Sequence, residues 1–141
     1  MRLIALDVGE VRIGVAAADD RTRIAIPIDT ITVEGDPVVA IVNLVRDQEA
    51  GELVLGLPLS LSGAVGPQAQ RLQALVEALA SRLDIPVRTW DERLTSVQAD
   101  RARPGGRRRG RGGSAAPAAS RDAAAAAIIL QAYLDSPRPS A

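Results

Sequence analysis

The sequence predicts an α/β domain: a mixed five-stranded sheet with helices on both faces. Three patterns point there. The first third of the chain holds three β-rich runs joined by short turns, which make an antiparallel meander. After them, amphipathic helical stripes alternate with short apolar runs, the order that generates parallel strands. Leu53-Val54-Leu55-Gly56-Leu57 is apolar without alternation, as a strand buried on both faces requires. At 141 residues the chain is read as one domain, 1–141, able to bury roughly two-thirds of its extended surface.

The opening strand runs through Leu3-Ile4-Ala5-Leu6-Asp7-Val8, turns at Gly9, and is followed by a second through Arg12-Ile13-Gly14-Val15. A carboxylate at a strand end is costly to bury and needs a proton, a cation or donor groups; alternatively Asp7 simply caps an ordinary hairpin turn. A polar turn at Asp19–Arg23 leads to a third β run, Ile24 to Val33, where Pro27 marks an edge or a bulge. Asp36-Pro37 reads as a helix start, Asp at the N-cap and Pro at the first helical position. Val38, Ile41, Val42 and Val45 then form one apolar stripe, and Gly51 is placed to stop the helix.

Beyond the strand 53–57, a loop containing Gly63 and Gly66 leads to Pro67 and a second helix with Leu72, Leu75, Val76, Leu79 and Leu83 on one face. Pro86 to Trp90 is a short strand ending in Asp91-Glu92, and Thr95-x-x-Gln98 resembles a capping box opening a third helix. Residues 104–120 are low-complexity, rich in Gly and Arg, and are expected to be a flexible loop. A final helix, about Asp122 to Leu134, is dense in Ala, so it can lie close against the sheet. The tail 136–141 should fray.

Composition narrows the chemistry. No His, Cys or Lys is present, which excludes imidazole triads, thiol nucleophiles, zinc–thiolate sites and Lys-dependent phosphate loops. With one Trp, one Tyr and no Phe, there is no aromatic platform for stacking successive bases. An enzyme of this composition must work with carboxylates, hydroxyls, Arg or a bound cation. No apolar run is long enough to span a bilayer and no signal-peptide pattern opens the chain, so a cytoplasmic protein without membrane contact is expected. The formal net charge of zero hides a separation: residues 1–50 are net −4, whereas 101–121 carry seven Arg and no acid. A localised cationic segment suits a polyanionic partner, although a solvated Arg-rich loop has the same composition.

In a sheet of this order the first, fourth and fifth strands are parallel neighbours, and ligands gather at the carboxyl ends of such strands. Asp7 and Asp91-Glu92 therefore fall on one rim. Acids there repel one another unless a positive group lies between them, and Mg²⁺ or Mn²⁺, which takes oxygen ligands, is the simplest answer. Asp122, at the start of the last helix, is either a third acid of that site or a carboxylate favoured by the helix dipole.

These residues carry a resemblance. Leu6-Asp7-Val8-Gly9 with Arg12-Ile13-Gly14-Val15, Val54-x-Gly56-Leu57-Pro58-Leu59, Gly66-Pro67-Gln68, Trp90-Asp91-Glu92-Arg93-Leu94-Thr95, and Asp122-x-x-Ala125-Ala126-x-Ile128-Ile129-Leu130-Gln131-x-Tyr133-Leu134 resemble, in order and spacing, the YqgF family, also called RuvX, of Holliday junction resolvases and pre-16S ribosomal RNA nucleases. The resemblance implies an RNase H-like fold and a metal-dependent hydrolase acting on phosphodiesters of pre-16S rRNA or branched DNA. It implies Asp7, Glu92 and Asp122 as the catalytic, metal-binding acids, with Asp91 as neighbour or stand-in. In a two-metal scheme such acids hold cations about 4 Å apart. Arg93 and the basic loop, Arg107, Arg108, Arg109 and Arg111, would grip flanking phosphates, though Arg93 could equally pair with a rim acid. Resolution of a junction would require two active sites, hence a homodimer.

The chain departs from the family pattern where Thr and a basic residue usually follow the first Gly, for it has Glu10 and Val11 there. It departs again where Lys usually stands four positions before the last acid, for it has Ala118. Two other readings fit part of the pattern. An ATP-handling domain of the actin and sugar-kinase type also opens on Asp-x-Gly, but needs a second domain to wall the nucleotide. A non-catalytic nucleic-acid-binding factor in ribosome maturation would keep the acids without turnover.

Overall fold

The computed structural model describes residues 1–57, 66–91 and 118–136. Among them are five strands, β1 (Arg2–Val8), β2 (Arg12–Asp19), β3 (Ile26–Thr32), β4 (Glu52–Leu57) and β5 (Val87–Asp91), and three helices, α1 (Pro37–Gln48), α2 (Pro67–Arg82) and α3 (Ala118–Asp135). The sheet order is β3-β2-β1-β4-β5. β1, the central strand, runs antiparallel to β2 and parallel to β4, and β4 runs parallel to β5. The expected mixed sheet with helices on both faces is the fold.

Alternation along β1 divides the core. Ile4 and Leu6, with Ile13, Val15 and Ala17 of β2, face α1 and α2 and pack against Ile41, Val42, Val45, Leu72 and Leu79. Leu3 and Ala5, with Ala16, Ala18 and Val54, face α3 and meet Ala126, Ile129, Leu130 and Leu134. Both faces of β1 are therefore buried, which is why its sequence is continuously apolar. Each fully buried Leu or Ile contributes about 1.5–3 kcal/mol. The α3 face is lined by alanines on sheet and helix alike, so small side chains set a short separation between the two layers.

Local signals hold where they are local. Asp36 caps α1, its Oδ1 accepting from the Val38 N–H at 2.9 Å, and Pro37 opens the helix. Pro27 sits on edge strand β3, beside a register shift opposite Val15 and Ala16. Two boundaries differ from expectation by about a turn. α1 ends one turn before Gly51: Glu49 takes the left-handed conformation at φ 52°, and its N–H closes on the Arg46 carbonyl. Gly51 instead admits Met1, whose Cγ would lie 2.4 Å from a Cβ there. The last helix begins at Ala118, so the final residues of the expected loop, 118–120, are helical. The expected helix opening at Thr95, the remainder of the Arg/Gly-rich loop and residues 137–141 lie outside the described residues.

Candidate active site

The site grows from the β1–β2 hairpin. Val8 and Ile13 are register partners, and the turn between them closes when the Gly9 N–H donates to the Arg12 carbonyl at 2.9 Å. The same register places Asp7 opposite Gly14, on the α3 face of the sheet. At Gly14 the first turns of α3 press onto the strand: a Cβ there would lie 1.9 Å from the Asp122 carbonyl oxygen. Only a residue without a side chain lets the helix come so near, and that contact carries Asp122 to Asp7.

The two acids are held differently. Asp122 is engaged by Arg12, whose Nε donates to Oδ2 at 2.6 Å across 110 residues of sequence. Asp7 is half-buried, and among the described residues no hydrogen bond or ion pair reaches its carboxylate. Burial pushes the Asp7 carboxyl above its ordinary range, and the neighbouring charge of Asp122 pushes it further. A cleft of about 330 Å³, lined by Gly9, Glu10, Val11, Arg12, Gln68 and Asp122, opens beside the pair.

This geometry fits a hard divalent cation. A half-buried carboxylate with no donor among the described residues, next to a second carboxylate, offers oxygen donors of the kind such a cation takes. Among the described residues no group of three acids gathers. Glu92, the third expected ligand, lies outside them, as do Arg93, Arg107, Arg108, Arg109 and Arg111.

Asp91 shares the rim but not the face. It is the register partner of Leu57, which packs against the core beneath α1 and α2. Its backbone position therefore aims its side chain away from the α3 face that holds Asp7. It does engage another group. Glu10 is exposed and lines the cleft.

A family model described as RuvX, Holliday junction resolvase, matches residues 1–136. The chain belongs to the RuvX family. It is 41% identical over 142 residues to a protein named "Putative pre-16S rRNA nuclease" from Caldanaerobacter subterraneus subsp. tengcongensis, covering 99% of this chain and 100% of that one. A relative of the same name from Anaeromyxobacter dehalogenans is 39% identical over 144 residues, again covering 99% and 100%. Among solved structures, Thermus thermophilus RuvC in complex with a Holliday junction substrate superposes with a TM-score of 0.60 at 15% identity. That match covers 95% of this chain and 94% of RuvC. At this identity the likeness speaks to the fold, which is RNase H-like.

Within this RuvX chain the fold brings to the site three residues, Arg12, Gly14 and Gln68, that stand in the sequence motifs but carried no site role there. Arg12 and Gly14 stand two apart on β2, so both face α3 with Asp7. Their spacing in the segment Arg12-Ile13-Gly14 was visible, but nothing in it identified the partner. Gln68, near the start of α2, enters the cleft from the opposite side of the hairpin.

Proposed function

We propose that this protein is a divalent-metal-dependent nuclease of the two-metal type, hydrolysing phosphodiesters in the processing of pre-16S rRNA or in branched DNA. The observation that carries the reading is Asp7: a half-buried carboxylate with no donor among the described residues, its protonation raised by burial and by Asp122. Such a group is poorly placed for stability and well placed to receive a cation.

Asp7 and Asp122 would hold Mg²⁺ or Mn²⁺, with Glu92 as third ligand. The bound ions would supply an activated water and stabilise the leaving oxygen. The chain's own residues do the rest. Gly14 and the close-packed alanines hold α3 against β2 so that Asp122 stays beside Asp7, and the Gly9 turn forms one wall of the cleft. Arg93 and the loop arginines 107, 108, 109 and 111 would hold flanking phosphates without reading sequence. Cutting a junction on two strands would bring two copies of the chain together. No helix among the described residues is long and apolar enough to cross a membrane; we place the protein in the cytoplasm, where its nucleic-acid substrates are.

The Arg12–Asp122 ion pair favours a second reading, a ribosome-maturation factor that binds nucleic acid without cutting it, because one of the acids already has a cationic partner. A cleavage panel separates the two: single-stranded RNA, single-stranded DNA and a four-way junction, each with Mg²⁺ and with Mn²⁺. Cleavage that requires the cation supports the nuclease. Salt-sensitive binding of all substrates, unchanged by chelator and without cleavage, supports the factor.

A further inference from the structure

We propose that Arg12 is a counter-cation built into the acid pair: it occupies Asp122 while no divalent ion is bound, gives way when one binds, and then contacts a phosphate oxygen of the nucleic acid. The inference rests on the nuclease reading and assigns to it a phosphate-binding residue outside the basic loop.

The ion pair is made through Nε alone, at 2.6 Å to Oδ2. Among the described residues the two terminal amino groups of Arg12 have no partner. A guanidinium that were only a structural clamp would be expected to grip a carboxylate through two parallel N–H groups. Here the fork is left over. Arg12 side-chain exposure of 40% and its place in the wall of the 330 Å³ cleft give that fork access to a ligand.

Its backbone cannot follow the ligand. The Arg12 carbonyl accepts the Gly9 N–H, and Arg12 is paired with Thr32 of β3, so only the side chain is free to turn. A cation ligated by Asp122 and a guanidinium seated on Oδ2 repel each other and compete for the same oxygen. Metal binding therefore releases the planar, always-charged group suited to phosphate. Glu10, in the same cleft wall, is the other acid within the region into which the side chain turns.

The test uses the full chain. Isothermal titration with Mn²⁺ should show Arg12→Gln binding the ion about tenfold more tightly than wild type, because the competitor is gone. Binding of a cleavage-resistant phosphorothioate single strand is then measured across salt concentrations. In wild type, adding Mn²⁺ should steepen the dependence of log K on log salt by about 0.7, one extra phosphate contact on a single strand. In Arg12→Gln the slope should not respond to Mn²⁺. Asp122→Asn gives a check independent of how Arg12→Gln folds: with its partner neutralised, Arg12 is released without metal, and the slope should steepen in chelator. Wild type that binds Mn²⁺ while Arg12→Gln binds it no more tightly, or a slope unchanged in Asp122→Asn, overturns the role of Arg12. Wild type that binds no Mn²⁺ at all overturns the nuclease reading itself.

Discussion

Two acids beneath α3, one toward each end of the helix, meet opposite fates. Near its C-terminal end, Glu52 at the start of β4 is only 3% exposed, yet it accepts hydrogen bonds from the Tyr133 hydroxyl and from Arg88 Nε, the latter at 3.0 Å. Tyr133 in turn packs edge-on against Trp90, with ring centroids 6.0 Å apart. Near its N-terminal end, Asp7 is less buried than Glu52 and has no donor among the described residues. Burial depth is therefore a poor guide to function. A deeply buried acid with its donors supplied is a fastening, whereas a shallower one with no donor among the described residues is where the proposed function would place a ligand.

The same helix joins both. Beyond Tyr133, Gln131 Oε1 accepts from the Ala25 N–H at 2.9 Å, and Arg23 donates to the Leu134 carbonyl. This end is stapled to the β2–β3 turn and to β4. With that end fixed and Gly14 admitting the first turns, Asp122 is delivered to Asp7 by rigid geometry.

The sharpest way to break the contrast is Asp7→Asn. It should lower metal-dependent cleavage about a hundredfold or more, in a single-turnover assay, while leaving the protein folded and no less stable. Wild-type cleavage by the variant at matched purity would remove Asp7 from the chemistry. Gly14→Ala comes next. Its Cβ would meet the Asp122 backbone, so α3 must shift, and a displacement near 1 Å at a reacting centre costs about a hundredfold in rate. Overpacking adds about 1–3 kcal/mol of destabilisation, read by urea melts.

Tyr133→Phe tests the other end. Losing a hydroxyl that serves a buried carboxylate should cost about 1–3 kcal/mol in the same melts. Cleavage per folded molecule should fall only a few-fold, because Asp122 stays pinned by Gly14. A loss of cleavage as large as that of Gly14→Ala would show that the two ends of α3 are not separable.

The smallest effect is on pH dependence. The Asp7 carboxyl is raised in the folded protein, so its protonated form favours folding. Its contribution is fully present below the unfolded value near 3.8 and is lost as pH rises through the higher folded value. The stability of Asp7→Asn relative to wild type should therefore grow with pH across that window and level off above it. A saturating divalent cation should reverse the gain, since it stabilises only wild type. A difference that does not vary with pH would contradict the burial argument.

Most of the fold was legible because its signals are short-ranged. The continuous apolar runs of β1, β2 and β4, the Asp36-Pro37 start of α1 and the Pro27 edge each depend on a few neighbouring residues, and each is where the pattern put it. The stop of α1 was misplaced because a left-handed residue other than Gly, Glu49, ends the helix. Of the site, the sequence marked Asp7 and Asp122 as acids at element ends. It could not show that Asp91 faces the other layer, since that follows from pairing with Leu57.

By itself, then, the sequence determined the order of strands and helices among the described residues and the chemistry open to a chain without His, Cys or Lys. Its five motifs also indicated the family. Only the tertiary structure decided which charges meet: Arg12 with Asp122, Glu52 with Tyr133 and Arg88, and Asp7 with no donor among the described residues. The physical reason is range. Capping and apolar runs act over one turn or one strand, whereas these pairings span tens of residues and depend on how closely α3 can approach a strand that carries glycine at position 14.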